Sequence, residues 1–536
     1  MDASRLCWGD MNDFVLGSGP AAIACAQALL SRGKRVTILD AGGELEPARQ
    51  EVLDRVAAEP PEKWEASDLA ILRGEQEKGH GNIHQKLLYG SDYPYRDDED
   101  SMQENRAASP FHYSLSKGGL SSVWGASLLP VHADDIRDWP FPYEDLVPHY
   151  RAIFDWLPTA AGAPDHLAEI LPSHSSKPEP LRFSHQIESF VQDLEKGCPD
   201  GMSFGRSRQA VFTGGRNGGP GCVYCGRCLY GCPYGLIYST AHTLDDLRRS
   251  GRVDYIDRQR VERLEQNAGA VRIHTTDLRT GEPARFEAGR VFVGTGILPT
   301  SWLVLRSRDA MGRKVVMKDS QYFIYPFLRW SLARGVQEEP LHTLAQLYME
   351  IRDPKISKHL IHLEVFGYSD YLKRALLQTP LRFVLSNPWV AEQFFGRVLI
   401  MQGFLHSADS RTFSVELQAG TDGRPRLHLE ANKAGPGWAQ AVKTGLKLLS
   451  HAHRLGGAPI LPALQFADPG RSYHSGGGFP MRKNPSEWET DPLGRLPGWD
   501  RIHLVDASTF PSIPATTMAL NIMANAHRIG TAAADL

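Results

Sequence analysis

The sequence predicts an α/β protein: a Rossmann-like domain assembled from several segments, with a discontinuous second domain on an antiparallel sheet. Three observations predict it. The N-terminal segment reads strand, glycine-rich turn, helix, strand. A second apolar strand ending in small residues, Val291-Phe292-Val293-Gly294-Thr295-Gly296, lies mid-chain. Residues between 320 and 420 switch to period-two alternation. At 536 residues the chain is long enough for a large core and at least two domains.

The first element is Phe14-Val15-Leu16, a short apolar run of the kind a parallel strand buried on both faces shows. Gly17-Ser18-Gly19-Pro20-Ala21-Ala22 follows, then a helical pattern through Ile23, Ala26, Leu29 and Leu30, a stop at Gly33, and the strand Arg35 to Leu39 with Asp40. The G-x-G-x-x-A turn lets the backbone approach a pyrophosphate whose charge meets helix N-terminal N–H groups, and Asp40 is placed for a ribose hydroxyl. This predicts dinucleotide binding without separating FAD from NAD.

Hydrophobic residues make up 42% and charged residues 23%, with a formal net charge of −3, so neither nucleic acid nor an anionic membrane is expected as an obligatory partner. No apolar stretch is long enough to span a bilayer, and Met1 to Asp10 lacks a signal-peptide pattern, giving a cytoplasmic expectation. The seven cysteines are Cys7, Cys25, Cys198 and a run of four, too few and too clustered for a secreted disulfide framework.

That run, Cys222, Cys225, Cys228 and Cys232 followed by Pro233, has the spacing C-x2-C-x2-C-x3-C-P of bacterial ferredoxins. Thiolates suit iron–sulfur clusters or zinc, and zinc sites usually pair separated knuckles, so the compact run favours iron–sulfur. With a single run, Cys232 either closes a 4Fe-4S cluster or stands beside a 3Fe-4S one. Structural zinc and metal-free cysteines remain open.

Four further blocks accompany the fingerprint: Ser116 to Gly125, Val291 to Ser301, Tyr473-His474-Ser475-Gly476-Gly477-Gly478, and Leu504 to Pro514 running into Asn521 to Ala526. Together, and in this order, they resemble the glucose–methanol–choline (GMC) oxidoreductases, FAD-dependent enzymes that oxidise alcohols. The resemblance is loose between about 310 and 460. It implies that Gly17, Gly19 and Ala22 cradle the FAD pyrophosphate, with Asp40 on the ribose and Val261 at the adenine. Gly118, Gly119, Ser121 and Ser122 would lie along the flavin, and Asp506 and Ala507 at the ribityl chain. His474 would be the catalytic base, although in the block beginning His474-Ser475-Gly476-Gly477 a glycine replaces the family's usual threonine. A second catalytic position, normally histidine or asparagine, falls on Ala515 to Met518, where Thr517 is the best match and Asn521 the nearest amide. The cysteine run resembles blocks in long-chain alcohol oxidases and in FAD-dependent sugar dehydrogenases.

The resemblance implies a GMC-like layout: a FAD-binding domain from residues 1–145, 205–310 and 460–536, and a substrate domain from 146–204 and 311–459. The substrate would be a small-molecule alcohol, with the stretch Asp138 to Leu146, which resembles a linker of the sugar-oxidising branch, favouring a carbohydrate. Electrons would leave through the cluster to an external acceptor protein or dye-like acceptor. The alternatives are an oxygen-using oxidase with structural cysteines and a non-catalytic flavin-binding protein. Gln321 to Leu328, Leu341 to Ile351, Leu360 to Phe366 and Val398 to Phe404 read as strands. Tyr371 to Phe395 reads as a helix on that sheet, with a membrane-facing surface as the alternative; His406 reads as a pocket-lining or a structural residue.

Overall fold

Strand β1 (Asp13–Leu16) is buried on both faces because it is the centre of a five-stranded parallel sheet. β2 (Val36–Leu39) and Val253–Ile256 lie to one side, Arg290–Val293 and Ile502–Leu504 to the other. The structure is a computed structural model, described here for residues 12–74, 86–96, 102–103, 111–175, 179–432 and 434–536; Cys7 and Met1 to Asp10 fall outside these.

The turn after β1 delivers the chain to helix α1 (Pro20–Ser31), whose Ala- and Leu-rich body is buried under the C-terminal helix Ala519–Ala534. Gly17 takes φ +90°, a conformation costly for any side-chain-bearing residue, and a Cβ there would stand 3.0 Å from the Gly294 carbonyl oxygen. Ala22 is fully buried. A Cβ on Gly294 would come within 2.8 Å of its backbone nitrogen, so helix and strand turn meet where only small residues fit.

The second large layer is an antiparallel sheet in the order Gly457–Pro459, Tyr322–Arg329, Val398–Phe404, Ile361–Phe366, Leu347–Ile351, Met202–Arg206, with Gln465–Phe466 added beside Tyr322–Arg329. The alternating runs at 321–328, 360–366 and 398–404 are strands here. The run from Leu341 is not a strand until Leu347, because the backbone around Leu341 is drawn to the cysteine segment instead: Gly226 N–H donates to Leu341 O at 3.0 Å, and Thr343 N–H points at Cys228 Sγ at 3.5 Å. Residues 371 to 395 form three short helices rather than one, Asp370–Leu377, Arg382–Leu385 and Pro388–Phe395. Smaller sheets complete the fold, including Lys314–Asp319 paired with Ser475–Gly476, which binds the His474 loop to the body of the protein.

Substituting Gly294 by alanine should force α1 away from the parallel sheet. The expected loss is about 1–3 kcal/mol of unfolding free energy, measured by denaturant titration, while alanine at Gly197, a helical residue without a positive φ where a Cβ meets nothing within 4 Å, should cost less.

Candidate active site

A cavity of about 550 Å³ opens at the C-terminal edge of the parallel sheet and extends to the antiparallel sheet. Every strand end of the parallel sheet that reaches it brings a predicted residue or its neighbour: Gly17 after β1, Asp40 after β2, Gly294 to Gly296 after Arg290–Val293, Asp506 after Ile502–Leu504. This is the edge where open α/β sheets bind ligands.

At the fingerprint end Gly17 and Gly19 line the cavity, whereas Ala22 lies behind the wall and packs helix against strand turn. Asp40 accepts from Ser18 Oγ at 2.5 Å and from Tyr255 OH at 3.1 Å; burial raises its carboxyl to about 6 in spite of these bonds. Ser18 Oγ also accepts from Gly118 N–H at 2.8 Å, which fixes the second loop. Gly119, Ser121 and Val261 face the cavity; Gly118 and Ser122 support from behind, Ser122 Oγ donating to Lys117 O at 3.2 Å. Asp506 accepts from Thr300 Oγ1 at 2.5 Å and from the N–H groups of Gly296 and Ser508, each at 2.9 Å, and burial pushes its carboxyl upward. Ala507 O accepts from Gly477 N–H at 2.9 Å, tying this segment to the His474 block.

His474 lines the far part of the cavity, its ring stacked on Phe404 at 4.8 Å. Burial pulls the imidazole down to about 4, and Nδ1 has no hydrogen-bond partner among the described residues. Its loop is held by a residue the sequence reading missed. Asp319 accepts from Ser475 Oγ at 2.6 Å, Ser472 Oγ at 2.7 Å and Gly470 N–H at 3.0 Å, and is fully buried. Thr517 also lines the cavity, with Oγ1 accepting from Leu129 N–H at 2.9 Å and its hydroxyl proton left to give. Asn521 does not line the cavity. Its oxygen accepts from Tyr150 OH at 2.5 Å and its amide donates to Thr517 O at 2.7 Å, so it supports the Thr517 turn instead of reaching a substrate. His406 is likewise structural, stacked on His359 at 3.6 Å and bonded through Nε2 to Asp135 O at 3.2 Å.

Glu364, also unforeseen, lines the same cavity close enough for its charge to act on His474, and it accepts from Ser127 Oγ at 2.9 Å. Behind it, His362 Nε2 stands 3.8 Å from Glu364 and His362 Nδ1 2.6 Å from Glu350. Burial works against charge on His362, but the two carboxylates outweigh it and raise the imidazole to about 9. We read the Glu350–His362 contact as an ion pair whose cation also steadies Glu364.

The cysteine run stands one side chain from this cavity. Leu344 belongs to the apolar surround of Cys222, Cys228 and Cys232 and also to the cavity wall, and Lys86 lines the cavity with Cys228 near its ammonium. Burial, then the proximity of Cys228, raises Cys222 to about 11 and Cys225 and Cys232 to about 12. The thiols thus gather around Cys228. Among the described residues, however, no three Cys, His, Asp or Glu side chains form a group arranged to hold a metal ion.

Solved structures share this architecture. Pyridoxine 4-oxidase from Mesorbium loti superposes with a TM-score of 0.57 at 13% identity, covering 97% of this chain and 98% of that one. A variant of Aspergillus oryzae RIB40 formate oxidase studied for FAD modification gives 0.59 at 14%, covering 98% of each. The chain has the GMC oxidoreductase fold. No family model matches it. Among characterised proteins, 2-methyl-1,2-propanediol dehydrogenase of Mycolicibacterium austroafricanum is 24% identical over 300 residues, 55% of this chain; the match spans about half, 50%, of that relative's length.

The His362 pair makes stability depend on pH. Its folded value, about 9, lies above the ordinary 6.5, so its contribution is complete below pH 6.5 and is lost as pH rises through 9. Read as the difference in unfolding free energy between the parent and His362→Gln, this contribution should fall by on the order of 2–3 kcal/mol between those limits.

Proposed function

We propose that the protein is an FAD-dependent oxidoreductase that oxidises a CH–OH group to a carbonyl, with His474 taking the hydroxyl proton. One observation carries the reading: an imidazole kept uncharged by burial, with Nδ1 unpartnered among the described residues, on the wall of a cavity whose other end is a dinucleotide cradle. The relative acting on 2-methyl-1,2-propanediol and the neighbours that oxidise pyridoxine and formate support redox chemistry on small polar substrates.

The cradle suits FAD. Gly17 and Gly19, bare of side chains at the N-terminus of α1, would meet the pyrophosphate; Asp40 would take the ribose and Val261 the adenine. Gly119 and Ser121 would lie along the ring system, with Asp506 and Ala507 beside the ribityl chain. When bound, FAD supplies the hydride acceptor. The protein's own part is to orient the alcohol, with Thr517 Oγ1 on its oxygen and His474 on its proton. The domain division into 1–145, 205–310 and 460–536 against 146–204 and 311–459 is part of the same proposal.

The route by which electrons leave has two readings. The spacing of the cysteine run supports an iron–sulfur cluster held by Cys222, Cys225, Cys228 and Cys232, with an external acceptor. The oxidase neighbours, and thiols that do not form a ready ligand group, favour structural cysteines and transfer to oxygen.

His474→Ala should slow anaerobic flavin bleaching by an alcohol by roughly 10²–10⁴-fold. In the parent enzyme the rate should fall as pH drops through about 4, where the imidazole becomes charged, with no inflection near 6.5. A bleaching rate unaffected by His474→Ala would remove the histidine from the chemistry. For the exit route, protein purified without air should contain iron and acid-labile sulfide in stoichiometric amount, lost in Cys228→Ser. Iron-free protein that yields peroxide stoichiometrically from reduced flavin and oxygen would establish the oxidase instead.

A further inference from the structure

The three short helices between Asp370 and Phe395 have an inner and an outer face of different character. Inward, Leu385, Ala391 and Phe395 pack with Val336, Leu341 and Tyr368. Gln186 secures the base by donating to Phe395 O at 3.0 Å and Val398 O at 2.9 Å. Asn387 caps the last helix by accepting from Trp389 N–H at 3.0 Å and Val390 N–H at 3.2 Å. The turn is therefore tied down, and its outward side chains are not frayed core.

Those side chains are apolar. Phe383 is 72% exposed, Trp389 70%, Val384 54% and Leu381 43%, all within nine residues. Arg382 stands over the Phe383 ring at 4.7 Å. Between 370 and 397 the basic residues are Lys373, Arg374, Arg382 and Arg397, the acidic ones only Asp370 and Glu392. Asp370 is taken by Arg374 at 3.0 Å, and Glu392 accepts from Gly335 N–H at 2.8 Å. The patch is thus locally positive on a chain whose net charge is −3. It also adjoins the cavity: Tyr371 touches the Tyr230 ring at 5.6 Å and feels the charge of Arg471, which lines the cavity with Tyr473, itself 37% exposed.

The geometry points to a docking surface for anionic lipid, in which Leu381, Phe383, Val384 and Trp389 enter the interface and Lys373, Arg382 and Arg397 meet the headgroups. Exposed aromatic and aliphatic tips beside basic side chains are the pattern of peripheral membrane contact. It is peripheral because, among the described residues, no helix is long and apolar enough to cross a membrane. Docking there would bring the cavity mouth close to the lipid surface.

The test uses the full-length, FAD-loaded protein co-sedimented with vesicles of phosphatidylcholine and phosphatidylglycerol, about 3:1, and with phosphatidylcholine alone. The parent should bind the anionic vesicles, less so at high salt. F383S/W389S should lose at least ~10-fold in partition, and K373Q/R382Q should lose binding to the anionic vesicles selectively. Both should retain flavin absorbance and far-ultraviolet dichroism. Absence of parent binding, or equal binding by both variants, overturns the proposal. So does a shift from dimer to monomer in sedimentation equilibrium of F383S/W389S, which would make a second copy the occupant. Lipid partition is read without turnover, so this result stands apart from that of the alcohol-oxidation test.

Discussion

Ser18 is the joint on which the nucleotide end of the cavity depends. Its hydroxyl donates to Asp40 and accepts from Gly118 N–H, while its carbonyl accepts from Thr240 Oγ1 at 2.7 Å. One residue thus ties the fingerprint turn, the end of β2, the glycine–serine loop and the start of the helix Thr240–Arg249. None of these segments adjoins another in sequence. Each contact is buried, so each must be made in full: an unsatisfied hydroxyl or carboxylate here costs more than a neutral hydrogen bond contributes.

The same logic holds at the far end with a different anchor. Asp319 collects two serine hydroxyls and a backbone N–H, and burial still raises its carboxyl to about 6. A carboxylate so placed is costly to bury, and the three donors offset that cost only in one loop conformation. Tyr473, the residue before His474, sits at φ +58°, an unfavourable value for an aromatic residue that the Asp319 contacts maintain. His474 is therefore aimed by bonds its own side chain does not make.

What could be read in the sequence follows from how local the determinants are. The fingerprint was legible because strand, turn, helix and Asp40 follow one another within about thirty residues of sequence, and glycine at Gly17 has a backbone reason visible in the motif. His474 and Thr517 were legible through their blocks, and both reach the cavity. Asn521 misled because an amide in the right block says nothing about Tyr150, 371 residues away, which takes its oxygen. Ala22 was given to the wrong partner, since its neighbour Gly294 comes from another strand. Glu364 and His362 lay in a segment read only for alternation, and Asp319 lay just before the first such segment. His362 is 12 residues from its partner Glu350 and Glu364 is 237 from its partner Ser127, and tertiary structure alone brings these groups together.

The two histidines flanking Phe404 show how environment assigns roles. His362 and His474 both stack on that ring, at 6.0 Å and 4.8 Å. His362 has carboxylates on both nitrogens and is driven to about 9; His474 has apolar surroundings, an unpartnered Nδ1 among the described residues, and falls to about 4. The first is held toward its charged form by its carboxylate neighbours, which makes it a poor proton acceptor. The second is a neutral base that can accept a proton. When two like groups in one site are pushed apart in this way, the acid–base assignment follows from the push. Glu364 completes the arrangement: it lines the same cavity as an acceptor, with His362 Nε2 3.8 Å behind it, so this part of the wall favours a hydroxyl donor over an anion. Under the proposed reaction an alcohol in this part of the cavity would find two acceptors, and the unpartnered Nδ1 of His474, among the described residues, is the one the proposal assigns to its proton.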